Sequence, residues 1–328
     1  MTLAPYVQIL ARGPGRSRHL TQEEAHTALT LILSGEAAPE AVGALLMLMR
    51  YRGEDAAEIA GFVQAIRACA LPWRGAAPVL DWPSYAAGRS RGLPWFLLAA
   101  RLVAAAGFPV LLHGWNAADG AGSVRAALAP LGIAAAQSTE EAAALVARDA
   151  IAYLPLEAAA PRALDLLRLR EVLGLRSPLN TALRLFNPGG AETTVQGVFH
   201  PPYRGLQTDA SVLLGQPNQM VLKGAGGEFE RAPAKDVALS GLRGGVPFDM
   251  VAPALLDATG RLAEGPAHSD PAALAALWQG RIADEYAQAI VLGTAAAALL
   301  ALGAAGTPDA ALASARNLWT NRPLDRAA

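Results

Sequence analysis

The chain has a single cysteine, Cys69, and only two lysines, Lys223 and Lys235, in 328 residues. One cysteine excludes an internal disulfide, and no Cys/His grouping has zinc spacing. Cys69 lies in an apolar helical stretch and reads as a packing residue. The shortage of lysine leaves arginine to carry the positive charge. With a formal net charge of −1, there is no chain-wide basic field to gather nucleic acid, so any basic surface must be local. Charged residues make up 17% of the chain against 53% hydrophobic, a balance that excludes general disorder and implies a sizeable core. The N-terminal residues lack the charged-then-apolar order of an export signal. The longest apolar run, residues 289–306, is rich in Ala and Gly, and is expected as a buried helix rather than a membrane span. These absences together predict a cytoplasmic protein with no membrane partner.

The richest stretch that is present runs from Arg168 to Gly190. It sets Arg170, Arg176, Asn180, Arg184 and Asn187 among Leu, Val and Phe that favour burial. A guanidinium is costly to desolvate without a partner, so arginines in such a segment usually meet an anion or a carboxylate. Upstream, Thr21-Gln-Glu-Glu24 has the form of a capping box. Ala25, Leu29, Ile32 and Leu33 follow at helical spacing, and Gly35 stops that helix. Pro39 opens a second helix with Val42, Leu45, Leu46 and Met49 on one face. A third starts near Gly53 and Glu54. Past a Pro-rich hinge at residues 72–78, short apolar runs alternate with Ala-rich helices. Strands are expected at 79–81, 109–112, 150–154, 193–199 and 219–223, with helices at 96–106 and 162–170. That alternation predicts an α/β domain.

The run Arg-x-x-x-Gly-x-Arg-x-x-x-Asn followed by Asn-Pro (Arg170 to Pro188), and the N-terminal helical pattern with Arg-x-Arg-Gly-Glu at 50–54, resemble the anthranilate phosphoribosyltransferase family, also called glycosyltransferase family three. The resemblance covers the chain from about Leu20 to about Ala315. It implies an α/β fold of the two-domain class II nucleoside phosphorylase/phosphoribosyltransferase type. A small helical domain (residues 1–74 with 162–185) would carry the dimer contact. Residues 75–161 with 186–328 would form an α/β domain around a central sheet. On this resemblance the chain is expected to be a homodimer, with Leu29, Ile32, Leu45 and Leu46 as the apolar stripes of the contact.

Three elements that serve the phosphoribosyl group in that family are altered. A Gly-Thr-Gly-Gly-Asp loop would close backbone N–H groups on phosphate. Here it becomes Ser84-Tyr85-Ala86-Ala87-Gly88, and the Asn-x-Ser-Thr step becomes Pro94-Trp95-Phe96-Leu97. Of Lys-His-Gly-Asn-Arg only His113 and Gly114 remain. The Gly-Leu-Asp-Glu carboxylates that would hold magnesium become Gly226-Gly227-Glu228-Phe229. Loss of a paired carboxylate predicts no magnesium cofactor, because that ion is bound through hard oxygen ligands. Ser84, Gly88, Arg89, Ser90 and Arg91 remain as a different anion site.

This pattern resembles the YbiB-like, nucleic-acid-binding branch of the family. Residues 162–204 carry six arginines against three acidic residues. Arg12, Arg16 and Arg18 add a basic arm, and Tyr85, Trp115, Phe199 and Tyr203 offer stacking faces. The expectation is therefore single-stranded DNA or RNA binding with little sequence preference, through Arg168, Arg170, Arg176, Asn180, Arg184, Arg204 and Lys223. The alternative is a glycosyl or phosphoribosyl transferase of altered substrate specificity, with His113, Arg170 and Glu228 as its catalytic candidates.

Overall fold

A computed structural model describes residues 2–13, 15–85, 92–116, 123–257 and 270–324. Four helices come first: α1 Ala4–Ala11, α2 Gln22–Leu33, α3 Pro39–Arg52 and α4 Ala56–Cys69. The alternating region follows, with β1 Leu80–Ser84, α5 Phe96–Ala105, β2 Val110–Gly114, α6 Val124–Leu128, α7 Thr139–Asp149 and β3 Ile151–Pro155. Short helices α8 Leu156–Ala159, α9 Pro161–Arg168, α10 Arg170–Leu173 and α11 Leu179–Ala182 lead to β4 Thr193–Val198, α12 Tyr203–Leu213 and β5 Asn218–Lys223. A hairpin, β6 Val237–Arg243 and β7 Val246–Ala252, and three helices, α13 Ala272–Trp278, α14 Glu285–Ala301 and α15 Pro308–Thr320, complete the fold.

These strands form one mixed sheet in the order β3-β2-β1-β4-β5-β6-β7. The first five are parallel and the last two antiparallel. Side chains alternate between its faces, as the period of two requires. Trp82, Val110, Leu112 and Tyr153 pack with α5, α14 and α15. Leu111, Ala152 and Leu154 turn the other way, into one continuous core with α2, α3 and α4. The sheet therefore carries the helical unit on one face and the C-terminal helices on the other. The chain leaves β1 in one direction and β4 in the other, so β1 and β4 flank the topological switch point, where open α/β sheets place ligands beyond the carboxyl ends of their strands.

The expected capping box is present: the Thr21 side chain accepts from the Glu24 N–H, and Glu24 accepts from the Thr21 N–H. A second box at Asp55 and Glu58 opens α4. Glu58 is fully buried and also accepts from the Leu20 N–H at 2.9 Å, while His19 Nδ1 lies 3.1 Å away. Glu58 thus fastens the loop before α2 to the start of α4. Glu58→Gln puts an amide nitrogen against one of these donors, so it should cost about 1–2 kcal/mol, read as a lower urea midpoint with unchanged slope.

Several sequence expectations change. Leu29, Ile32, Leu45 and Leu46 are buried within this chain. They fill the monomer core and cannot be a contact between copies. The helix expected over 162–170 is two helices, α9 and α10, meeting at Leu169. Cys69 ends α4 with its side chain exposed, not packed. The run at 289–306 does form a buried helix, α14, and among the described residues no helix is long and apolar enough to cross a membrane.

Candidate functional site

Beyond the end of β4 lies a cavity of about 240 Å³, closed by both halves of the fold. The helical unit supplies Arg50 and Glu54 from the end of α3. The 170–190 stretch supplies Arg176, Ser177, Asn180, Thr181 and Arg184. Val198, Phe199 and His200 come from the end of β4, and Tyr203 and Gln207 from α12. Among the described residues, three guanidinium groups thus face one carboxylate.

The electrostatics favour an anionic guest. Arg184 is buried, and desolvation pulls its pKa down to about 10, partly resisted by the Glu228 carboxylate and reinforced by Arg176. Burial also lowers the Arg176 pKa, and the charges of Arg170 and Arg50 push the same way. Crowded, desolvated cations of this kind are relieved by a counter-charge. Arg184 donates from one terminal nitrogen to the Asn180 carbonyl at 2.8 Å and from the other toward the Tyr85 carbonyl at 3.5 Å. Arg50 donates to the Tyr203 hydroxyl at 2.8 Å, and that hydroxyl donates to Glu54 at 2.8 Å. Burial and Glu54 raise the Tyr203 pKa, which keeps the phenol protonated. This three-residue chain ties α3 to α12 across the mouth.

Beside the cavity, the ends of β1 and β2 are packed shut. Gly114 and Gly197 permit this: a Cβ at Gly114 would stand 2.0 Å from the Ser84 carbonyl oxygen, and one at Gly197 would stand 1.9 Å from the Glu228 carbonyl carbon. Ser84 donates to Glu228 Oε1 at 3.0 Å. Tyr85 is buried with its hydroxyl 3.0 Å from His113 Nδ1, and His113 Nε2 lies 3.1 Å from Asp81 Oδ1. Thr194 donates to the second Asp81 oxygen at 3.0 Å. Phe229 is fully buried, edge-on to Trp82. Glu230 accepts from the Phe96 N–H at 3.0 Å and so caps α5, where a carboxylate is favoured by the helix dipole.

The sequence-predicted residues separate accordingly. Arg176, Asn180 and Arg184 meet in the cavity. Arg170 lies outside its lining and reaches it only as a charge on Arg176. His113 is buried, between Asp81 and Tyr85, and does not line the cavity. Glu228 is buried against Ser84. Gly88, Arg89, Ser90 and Arg91 lie outside the described residues. Reasoning from sequence missed Arg50, Glu54, His200 and Gln207. The first two stood in the Arg-x-Arg-Gly-Glu run, which was read for the helical domain and the family resemblance and not for the site.

The arginines expected to make a nucleic-acid groove do not line one. Arg162 donates to the Leu33 carbonyl and Arg204 to the Ala238 carbonyl. Arg168 sits over the Trp115 ring at 6.0 Å, and Arg184 is buried. Arg18 of the N-terminal arm is bound to Glu24 at 2.6 Å. Lys223 is an exposed strand end. Arg162, Arg204 and Arg18 are held by groups of their own chain and Arg184 is buried, whereas Arg168 and Lys223 stay exposed, so the segment's charge count does not translate into one basic surface.

Comparison with known proteins points the same way. Residues 4–70 match the glycosyl transferase family helical bundle domain. The chain is 30% identical over 293 residues to an anthranilate phosphoribosyltransferase of Novosphingobium aromaticivorans, covering 88% of each chain. It is 30% identical to one of Afipia carboxidovorans, over 91% of this chain and 90% of that one. Among solved structures, it superposes on anthranilate phosphoribosyltransferase of Thermus thermophilus with a TM-score of 0.80 at 25% identity, over 97% of this chain and 94% of that one. The Saccharomyces cerevisiae protein in complex with PRPP and Mg shares the fold at a TM-score of 0.75 and 16% identity, over 97% of this chain and 93% of that one. Relatives named as enzymes over nearly the whole chain overturn the nucleic-acid-binding expectation.

Proposed function

This chain belongs to the anthranilate phosphoribosyltransferase family, and we propose that it is a glycosyl or phosphoribosyl transferase of altered substrate specificity. The observation that carries this reading is the cavity at the end of β4, with Arg50, Arg176 and Arg184 around it and, among the described residues, Glu54 as the one carboxylate in its lining. Its charge suits an anionic acceptor, and its place beyond the strand ends suits transfer to that acceptor from a sugar donor. The arginines hold the acceptor's negative charge. Tyr203, kept protonated, donates to Glu54 and holds the two sides of the site together.

The described residues do not fit a magnesium ion beside this cavity. Glu228 is committed to the Ser84 hydroxyl, Phe229 stands in apolar packing, and Glu230 caps α5. Among the described residues no group of three or more His, Cys, Asp or Glu could hold a metal. We therefore read donor binding as independent of magnesium. Thermal melting tests both statements. Saturating phosphoribosyl pyrophosphate should raise the melting temperature, because a ligand bound only to the native state stabilises it by mass action, and the rise should survive EDTA. A rise seen only with magnesium would overturn the metal-free reading. No rise under either condition would overturn the transferase reading.

We also infer a homodimer. The helical unit leaves Tyr51 91%, Val172 82% and Leu175 57% exposed. Tyr51 is on α3, Val172 on α10 and Leu175 just past it, and α3 and α10 approach each other at Gly43 and Leu173. Apolar side chains so exposed on neighbouring elements mark an interaction surface. Light scattering at micromolar protein should give twice the chain mass. Tyr51→Glu combined with Val172→Glu should return it to the monomer; a monomeric parent would overturn the inference.

A further inference from the structure

We propose that His200 is the general base of this site, and that the acceptor carries a carboxylate together with an attacking nitrogen that bears a hydrogen. The proposal rests on the transferase reading. Among the described residues, the cavity lining holds two side chains able to take up a proton near neutral pH, Glu54 and His200, because Tyr203 is kept protonated. Glu54 is already engaged. Its side chain is 2% exposed, accepts from the Tyr203 hydroxyl at 2.8 Å and stands 3.8 Å from Arg50. It cannot turn to a guest without breaking the contact that ties α3 to α12. His200 is exposed, in the short link between β4 and α12. Its ring meets Phe199 edge-on, with centroids 4.8 Å apart, and lies 6.4 Å from the Tyr203 ring. Among the described residues these are the contacts of the ring, and neither of its nitrogens is held in a hydrogen bond.

The site thus divides its work by chemistry. The arginines meet the acceptor's carboxylate, and the imidazole, on a different element of the same wall, is left for its nucleophile. The charged and titratable groups around His200 are Arg50 and Glu54 on α3, Arg176 and Arg184 on either side of α11, Tyr203 on α12, and Lys223, which stands opposite Val198 on β5. In the step itself the lone pair of the acceptor nitrogen forms the bond to the anomeric carbon of the sugar. The bond from that carbon to oxygen breaks, and pyrophosphate leaves with its electron pair. The nitrogen's proton passes to the imidazole and from there to solvent, which an exposed side chain reaches directly. A ring nitrogen without a hydrogen has no proton to give, so an acceptor of that kind makes no use of the base.

Pyrophosphate release from phosphoribosyl pyrophosphate tests this with 3-aminobenzoate and 4-aminobenzoate, whose attacking nitrogens bear hydrogen, and with pyridine-3-carboxylate, whose ring nitrogen does not. The parent should turn over an aminobenzoate, with kcat/KM rising between about pH 5 and pH 8, where imidazoles lose their proton. His200→Ala should lower kcat by about 10²-fold or more, the usual worth of a general base, with KM unchanged and the pH limb gone. It should slow the aminobenzoate far more than the pyridine carboxylate. His200→Gln keeps size and polarity and should be as slow as the alanine variant. Imidazole added to His200→Ala should restore part of the rate, which a merely structural role would not allow, and decides the matter if that variant melts early. Parental turnover in both variants, a pH limb that survives them, or an equal loss with both kinds of acceptor would overturn the proposal. Turnover by the parent with pyridine-3-carboxylate alone would also overturn it, and would leave the transferase reading standing. No turnover by the parent with any of the three would count against both.

Discussion

Replacing Arg184 by methionine should abolish binding of the anionic ligand while making the unliganded protein more stable. Truncating one member of a buried, hydrogen-bonded charge pair typically costs about 2–5 kcal/mol, which is a loss of affinity on the order of 10²-fold or more. The unliganded protein responds in the opposite sense. Burial lowers the Arg184 pKa to about 10, which corresponds to about 3 kcal/mol against the charged form. The hydrogen bonds lost to the Asn180 and Tyr85 carbonyls offset part of this, at about 1 kcal/mol each. A net gain of about 1 kcal/mol remains, a rise of a few degrees in melting temperature. The sign with pH is fixed. Below about pH 10 the folded protein bears the whole penalty. As pH rises through 10, the folded side chain releases its proton before the unfolded one does, and the parent's disadvantage shrinks. Calorimetric melting of both proteins between pH 7 and pH 10.5, with and without ligand, reads all three effects. A variant that melts lower without ligand and binds as the parent does would contradict the assignment.

His113→Leu should destabilise the protein by about 1–3 kcal/mol for each buried polar group it leaves without a partner. Asp81 and His113 are 0% and 1% exposed. Among the described residues Asp81 would keep the Thr194 hydroxyl at 3.0 Å and the nearby charge of Arg67, and Tyr85 would lose the ring nitrogen it meets at 3.0 Å. The loss should appear as a lower denaturant midpoint. The Michaelis constant of the protein that remains folded should not change, because His113 does not line the cavity. Unchanged stability with lost turnover would instead make His113 catalytic.

Much of the fold can be read from local chemistry. The capping box at Thr21 and the apolar runs of β1 to β5 carry their own signals, because central parallel strands are buried on both faces. The β6–β7 hairpin went unseen. Of β7 only Ala252 is fully buried, but Val246, Phe248, Met250 and Ala252 recur at every second position and Phe248 and Met250 pack against the core, so the alternation was there to be read. Helix α1, Ala4–Ala11, ends just before the arginines read as a basic arm, where no element was expected. At the site, Arg176, Asn180 and Arg184 were legible because polar residues interrupt an apolar run. The direction of each arginine was not legible. Whether a guanidinium faces solvent, a carbonyl or a cavity depends on tertiary packing, and the count of six could not separate Arg162 and Arg204, which bind carbonyls, from Arg176 and Arg184, which line the cavity. Gln207 was invisible for a similar reason: a glutamine on a helix ordinarily faces water, and here the Thr181 carbonyl draws it inward.

Pyrophosphate release tests the central claim most directly. The purified protein, supplied with phosphoribosyl pyrophosphate and one acceptor at a time, should release pyrophosphate with a carboxylate acceptor other than anthranilate at a rate ~10²-fold or more above that with anthranilate, the scale on which a few misplaced charge contacts change a rate. Mass spectrometry should find the phosphoribosylated acceptor in equal amount. Anthranilate as the fastest acceptor, or no release with any carboxylate, would contradict it.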